Sequence, residues 1–189
     1  KTGGEAMPIQ NPHDRFFKET FSDVTVAKDF LRYCTPHELN DVVDLDTLRP
    51  EKDSFINKQM EEFFSDLLFS AKINGKTGYV YFLFEHKSYM TDDVSLQLLK
   101  YMCSIWDAKR KKEKTEKLPI IIPIVIYQGK KTWHTNRCFS GLLEGYDRLP
   151  KQMQVYIPDF QYILYPISSY QKNDLEACIK LNIMLTLSY

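Results

Sequence analysis

The chain has 189 residues, 43% hydrophobic and 14% aromatic, enough for one sizeable core and too apolar for a disordered chain. Its 25 basic and 25 acidic residues cancel, so any nucleic-acid-binding surface must be local. Cys34, Cys103, Cys138 and Cys178 lie far apart with no CxxC pair, which argues against a zinc site or a disulfide framework and for reduced thiols in the cytoplasm. The longest apolar run, Leu118 to Tyr127, holds two prolines and is too short to span a bilayer, so no membrane segment is expected.

Lys1 to Ala6 read as a cloning remnant, with Met7 as the native start. Residues 7–53 are expected to form a helical segment packed on the core. Asn11-Pro12-His13-Asp14 is a helix start: Asn11 can cap, Pro12 suits the first position, and an acid in the first turn matches the helix dipole. Ser22-Asp23 opens a second helix with Val24, Ala27, Phe30 and Leu31 at helical spacing. Thr35-Pro36 introduces a short one from His37 to Val42, and the polar stretch Asp44 to Lys52 reads as a loop. Phe55 to Met60 alternates weakly and is read as a first strand.

Phe64 to Lys87 is two apolar runs around Asn74-Gly75, a strong hairpin signal because both residues tolerate φ > 0. With the turn centred between Gly75 and Lys76, Asp66 falls opposite Glu85, with Cβ atoms about 5 Å apart. Lys87 lies two residues on and shares that face. Two carboxylates so placed repel unless a proton or cation separates them. Mg²⁺ (or Mn²⁺) suits such a site, and the backbone carbonyl of His86 could add a ligand. Lys87 could then stabilise an attacking water or developing phosphate charge. The near-continuous hydrophobicity of the hairpin predicts a sheet covered on both faces.

Thr91-Asp92-Asp93 starts a long helix with an expected buried stripe of Leu96, Leu99, Cys103 and Trp106. Gln97 and Tyr101, four apart, could reach the acidic cluster from a neighbouring face. The helix exits through Lys109-Arg110-Lys111-Lys112, a solvated end that could also hold a DNA backbone. Leu118 to Gln128 is a buried strand, although Pro123 suggests an edge or a bulge. The strand–helix–strand order makes it parallel to the Glu85 strand. Phe160 to Tyr165 is a further β-rich run. A last helix from Asn173 reaches Tyr189 without a stop signal, so the native chain is expected to continue.

The pattern Asp66…Glu85-x-Lys87 resembles the active-site motif of the PD-(D/E)XK nuclease superfamily. The longer context resembles its Rpn branch of recombination-promoting nucleases and transposases. The matching pieces are His13-Asp14-Arg15-Phe16-Phe17-Lys18, Ser65-Asp66-Leu67-Leu68-Phe69, Phe84-Glu85-His86-Lys87-Ser88, Gln97-Leu98-Leu99-Lys100-Tyr101 and Pro123-Ile124-Val125-Ile126-Tyr127-Gln128-Gly129, followed by Trp133. The resemblance implies an α/β fold with a mixed central β-sheet flanked by helices, in the order helix–strand–hairpin–long helix–parallel strand. It puts the nuclease core at 54–135 and a C-terminal extension of the same domain at 136–189. It implies Mg²⁺-dependent cleavage of DNA in a bacterial cytosol, with Asp66 and Glu85 on the metal, Lys87 as third motif residue, and His13, Asp14 and Gln97 nearby. Many members carry Gln at the Lys87 position and Arg at the Gln97 position. A homodimer would serve double-strand cuts. The alternative is a catalytically silent nuclease-fold module for DNA binding or assembly in a transposition-related complex, and a plain homodimeric α/β protein is the third reading.

Overall fold

The computed structural model describes residues 19–51, 67–85, 93–114, 116–127, 133 and 136–166. The expected strand at 55–60 and the expected helices at 11–18 and beyond 173 lie outside these residues.

Helix α1 (Val24–Cys34) begins as expected. The Asp23 carboxylate accepts from the Thr25 amide at 2.8 Å, satisfying one of the first-turn donors. Thr35 closes this helix rather than opening the next: its hydroxyl donates to the Leu31 carbonyl at 2.6 Å. Helix α2 (His37–Val42) follows Pro36 directly.

The stretch read as a loop is in fact strand β1 (Val43–Pro50), which pairs antiparallel with β2 (Leu67–Ile73). Val43, Leu45 and Leu48 are buried, while Asp44 and Asp46 face solvent on this edge strand. The ladder is interrupted between Asp44 and Arg49. There the Thr47 hydroxyl accepts the Lys72 amide at 2.8 Å and donates to the Asp44 carbonyl at 2.7 Å, standing in for the missing backbone partner. That interruption hides the strand's period in the sequence.

Strand β3 (Lys76–Glu85) completes the hairpin. Asn74 and Gly75 both take positive φ, 49° and 74°, as a two-residue reversal of the primed type requires. Ile73 therefore pairs with Lys76, and Leu67 with Phe82. The expected register would have set Phe69 opposite Phe82, so it was two residues out. Centring the turn after Gly75 would have asked Lys76 to occupy the left-handed region, which glycine and asparagine fill at far lower cost. A shift of two preserves which residues share a face.

Helix α3 (Val94–Glu113) then crosses to β4 (Ile121–Tyr127), which lies parallel to β3, and β5 (Ile163–Pro166) lies parallel to β4. Helix α4 (Lys151–Gln154) and two 3₁₀ turns fill the connection to β5. The sheet runs β1-β2-β3-β4-β5. Pro123 is thus not on an edge strand. Pairing of β4 to β5 starts only at Ile124, so the missing N–H falls where that side of β4 has no neighbour.

One face of the sheet carries Phe69, Ala71, Val80, Phe82, Ile124 and Ile126 against α1. Phe82 is fully buried and meets Phe69, Phe30 and Phe21 at ring-centroid distances of 5.6, 5.8 and 6.0 Å. The other face carries Leu68, Tyr79, Tyr81, Leu83 and Val125 against α3. The buried stripe of α3 is Val94, Leu98, Tyr101, Met102 and Ile105, one residue off the expected one; Leu96 is 38% exposed and Cys103 is exposed. The helix has apolar residues on two adjoining faces, and the sheet takes the broader.

Gly78 lies close against its neighbours. A Cβ there would meet Ile73 Cδ1 at 2.6 Å and the Ile120 carbonyl at 2.9 Å. Phe82→Ala should lower unfolding free energy by about 3–5 kcal/mol through loss of the four-ring cluster, read from urea denaturation.

Candidate active site at the strand ends

At the described carboxyl ends of β3 and β4, Glu85 pairs with Tyr127. Ligands of open α/β sheets sit beyond such carboxyl ends. Asp66, His86, Lys87, His13 and Asp14 lie outside the described residues. The register that set 66 opposite 85 is not the one the hairpin adopts. Asp66 precedes Leu67 in the chain, and the partner of Leu67 is Phe82, three residues before Glu85.

Helix α3 runs back along the sheet from this end. Tyr101 packs its ring on Tyr81 at 5.2 Å and is buried in the core, so its ring serves packing. Gln97 lies one turn nearer the strand ends, about 6 Å along the axis. It is half-buried, and its Nε2 is buried with no hydrogen-bond partner among the described residues. The Tyr127 hydroxyl is in the same condition, in a residue only 1% exposed. Sequence reading passed over Tyr127. The parallel strand order placed it beside the Glu85 strand, and a tyrosine ending a buried strand was the available signal.

Tyr127 stands edge-on to Trp133 at 4.8 Å, and Trp133 edge-on to Tyr162 at 6.4 Å. These rings wall one side of the strand ends. Burial pushes the Tyr162 phenol up to about 12, against the weaker opposing pull of the Trp133 indole and Arg137.

The basic run lies elsewhere. Lys109 is buried, with its ammonium 4.8 Å from the Tyr79 ring centroid, a cation–π contact near the start of β3. Its inward position takes it out of the expected DNA-facing group. Arg110, Lys111 and Lys112 are exposed in the last turn of α3, where cations also offset the helix dipole. Arg110 is about 20 Å along the axis from Gln97. The run therefore cannot hold the same phosphate as the strand ends. Among the described residues no group of three His, Cys, Asp or Glu could hold a metal, and no helix is long and apolar enough to cross a membrane. Cys103 and Cys138 are free thiols.

An antiparallel three-strand meander joined through a long helix to parallel strands, with an acid ending the strand before that helix, is a restriction-endonuclease-like core. The chain belongs to the family described as "Putative transposase, YhgA-like", whose profile matches residues 11–188. It is 32% identical over 125 residues to recombination-promoting nuclease RpnC of Escherichia coli K12, covering 66% of this chain and 41% of that protein. It is 31% identical over 121 residues to RpnD of E. coli O157:H7, covering 64% and 46%. It is also 31% identical over 120 residues to a K12 relative named as an inactive recombination-promoting nuclease-like protein, RpnE, covering 64% and 40%. The chain thus spans less than half the length of these relatives. No solved structure matches it.

The Tyr162 shift has a signed consequence. A phenol with its folded-state value raised above 10 adds stability that is complete below pH 10 and lost as pH rises towards 12. Tyr162→Phe should remove that alkaline loss, seen as a flatter Tm-versus-pH curve than wild type above pH 10.

Proposed function

We propose that the chain hydrolyses phosphodiester bonds in DNA with the aid of a divalent cation, at a site formed by Asp66, Glu85 and Lys87. The position of Glu85 carries this reading. It ends the central strand of the sheet, at the carboxyl edge, in a family whose similar members include proteins named recombination-promoting nucleases. Asp66 leads into the neighbouring strand at the same end, and Lys87 follows Glu85 by two residues.

The donor set fits Mg²⁺ or Mn²⁺: hard carboxylate oxygens, with the main-chain carbonyl of His86 as a further oxygen ligand. The unmatched Gln97 amide and Tyr127 hydroxyl near the strand ends suit a polar guest rather than an apolar one. When bound, such a cation polarises the phosphate and makes water a stronger nucleophile. Asp66 and Glu85 supply the negative charge that retains the cation and repel each other without it. Lys87 offsets charge that gathers on the phosphate as water attacks. Gln97 orients a phosphate oxygen or a water from the α3 side, and His13 and Asp14 complete the rim, as the family pattern suggests. DNA is the partner, and paired subunits would cut both strands.

The carboxylates and the cation are expected to be indispensable. Asp66→Ala and Glu85→Ala should each reduce nicking of supercoiled plasmid at least 100-fold, on the order of one lost transition-state contact, with unchanged circular dichroism. Chelation by EDTA should silence the wild type to the same degree. Undiminished cleavage by both variants overturns the proposal.

The inactive label on RpnE favours a second reading, a silent module that binds DNA or assembles a transposition-related complex. Exposed Arg110, Lys111 and Lys112 would then carry the affinity. Binding would weaken steeply with salt, survive Asp66→Ala and need no metal.

A further inference from the structure

Tyr127 is an expensive residue to leave as it stands. A buried hydroxyl without a partner costs roughly 1–3 kcal/mol, and a phenylalanine would fill the same space without that penalty. The ring already has its packing, edge-on against Trp133 at 4.8 Å. The hydroxyl adds nothing to that contact. The residue is 1% exposed, and its oxygen has no hydrogen-bond partner among the described residues.

Its position gives the hydroxyl a use. Tyr127 is the cross-strand neighbour of Glu85 in a parallel pair, and neighbouring strands lie about 4.8 Å apart. Val125, two residues earlier, packs in the cluster that faces α3, and alternation puts Tyr127 on that face too. Gln97, on the first turns of α3, presents a second buried and unmatched polar group. Two unsatisfied polar groups thus approach one carboxyl edge from the sheet and from the helix above it. A phenol hydroxyl is a donor suited to a phosphate oxygen.

We propose that Tyr127 is a substrate-positioning residue whose hydroxyl donates to a non-bridging oxygen of the phosphodiester held at the ends of β3 and β4. The proposal rests on the phosphodiesterase reading of Glu85, and it assigns the β4 side of that site, which the acidic motif leaves undefined. Trp133 fixes the ring, so the donor is held in place before substrate arrives. Binding then satisfies a group that the free protein leaves unmatched.

The test uses the full chain and Tyr127→Phe, which keeps the ring contact with Trp133. Three measurements are made: thermal stability, fluorescence anisotropy with a labelled 20-base-pair duplex in Ca²⁺ and in EDTA, and plasmid nicking with Mg²⁺. The expected result is a Tm equal to or above wild type, affinity in Ca²⁺ about 3–10-fold weaker, and slower nicking, the size of one neutral hydrogen bond. A lower Tm with unchanged affinity makes the hydroxyl structural and overturns the proposal. So does unchanged affinity at unchanged Tm. If Glu85→Ala abolishes nicking while Tyr127→Phe matches wild type in binding and nicking, the Tyr127 assignment fails and the phosphodiesterase reading stands. If the wild type does not nick, that reading fails. The Ca²⁺ anisotropy then decides alone: a weaker Tyr127→Phe keeps the phosphate contact, and equal or absent binding removes it.

Discussion

Asn74 and Gly75 reverse the chain in two residues, both at positive φ, and this fixes how β2 and β3 pair. Everything on the sheet is counted from that turn. It decides that Phe69 and Phe82 share the α1 face and that Leu68, Tyr81 and Leu83 share the α3 face. Leu67 is matched by Phe82, so the last residues of β3 continue beyond the described start of its hairpin partner, with β4 still alongside.

The two faces of the sheet divide the work. The α1 face is a cluster of aromatic rings around Phe82. The α3 face is more mixed. Tyrosines 79, 81, 101, 127 and 162 line it, with Lys109 closing one end over Tyr79. From that end to the other, the helix passes from a buried cation to an unmatched amide at Gln97. Polarity on this face therefore changes along the strand direction. The charged end is sealed by a ring and by the exposed basic turn, and the strand-terminal end holds polar groups still wanting partners. This asymmetry favours the strand ends, rather than the basic run, as the place where chemistry could occur.

Much of this was legible in the residues. The hairpin, the long helix, the parallel strand after it and the cap at Asp23 are local signals, and local signals survive folding. Strand β1 was not legible, because Thr47 substitutes a side-chain hydroxyl for part of the ladder and breaks the alternation. The α3 stripe was misplaced by one residue, because only the sheet could choose between two apolar faces. The hairpin register was two residues out, although the Asn-Gly signal was read correctly, since the turn's centre depends on which residues take positive φ. Lys109 looked like its neighbours in a basic run, and nothing local distinguishes the one that turns inward. Of the candidate site, Glu85 at the end of the second hairpin strand was readable. The place of Tyr127 beside Glu85 was not, because it comes from a pairing across more than forty residues of chain.

Pro123 sets a limit on the far side of the sheet. With no amide hydrogen to offer there, β4 cannot extend its ladder to β5 below Ile124, however long the strand at that edge becomes. The segment between Tyr127 and Ile163 can therefore lengthen or shorten without sliding β5 down the sheet. The proline acts as a stop on the zipper, so variation in that connection should accumulate as surface loop and leave the aligned ends of β3 and β4 untouched.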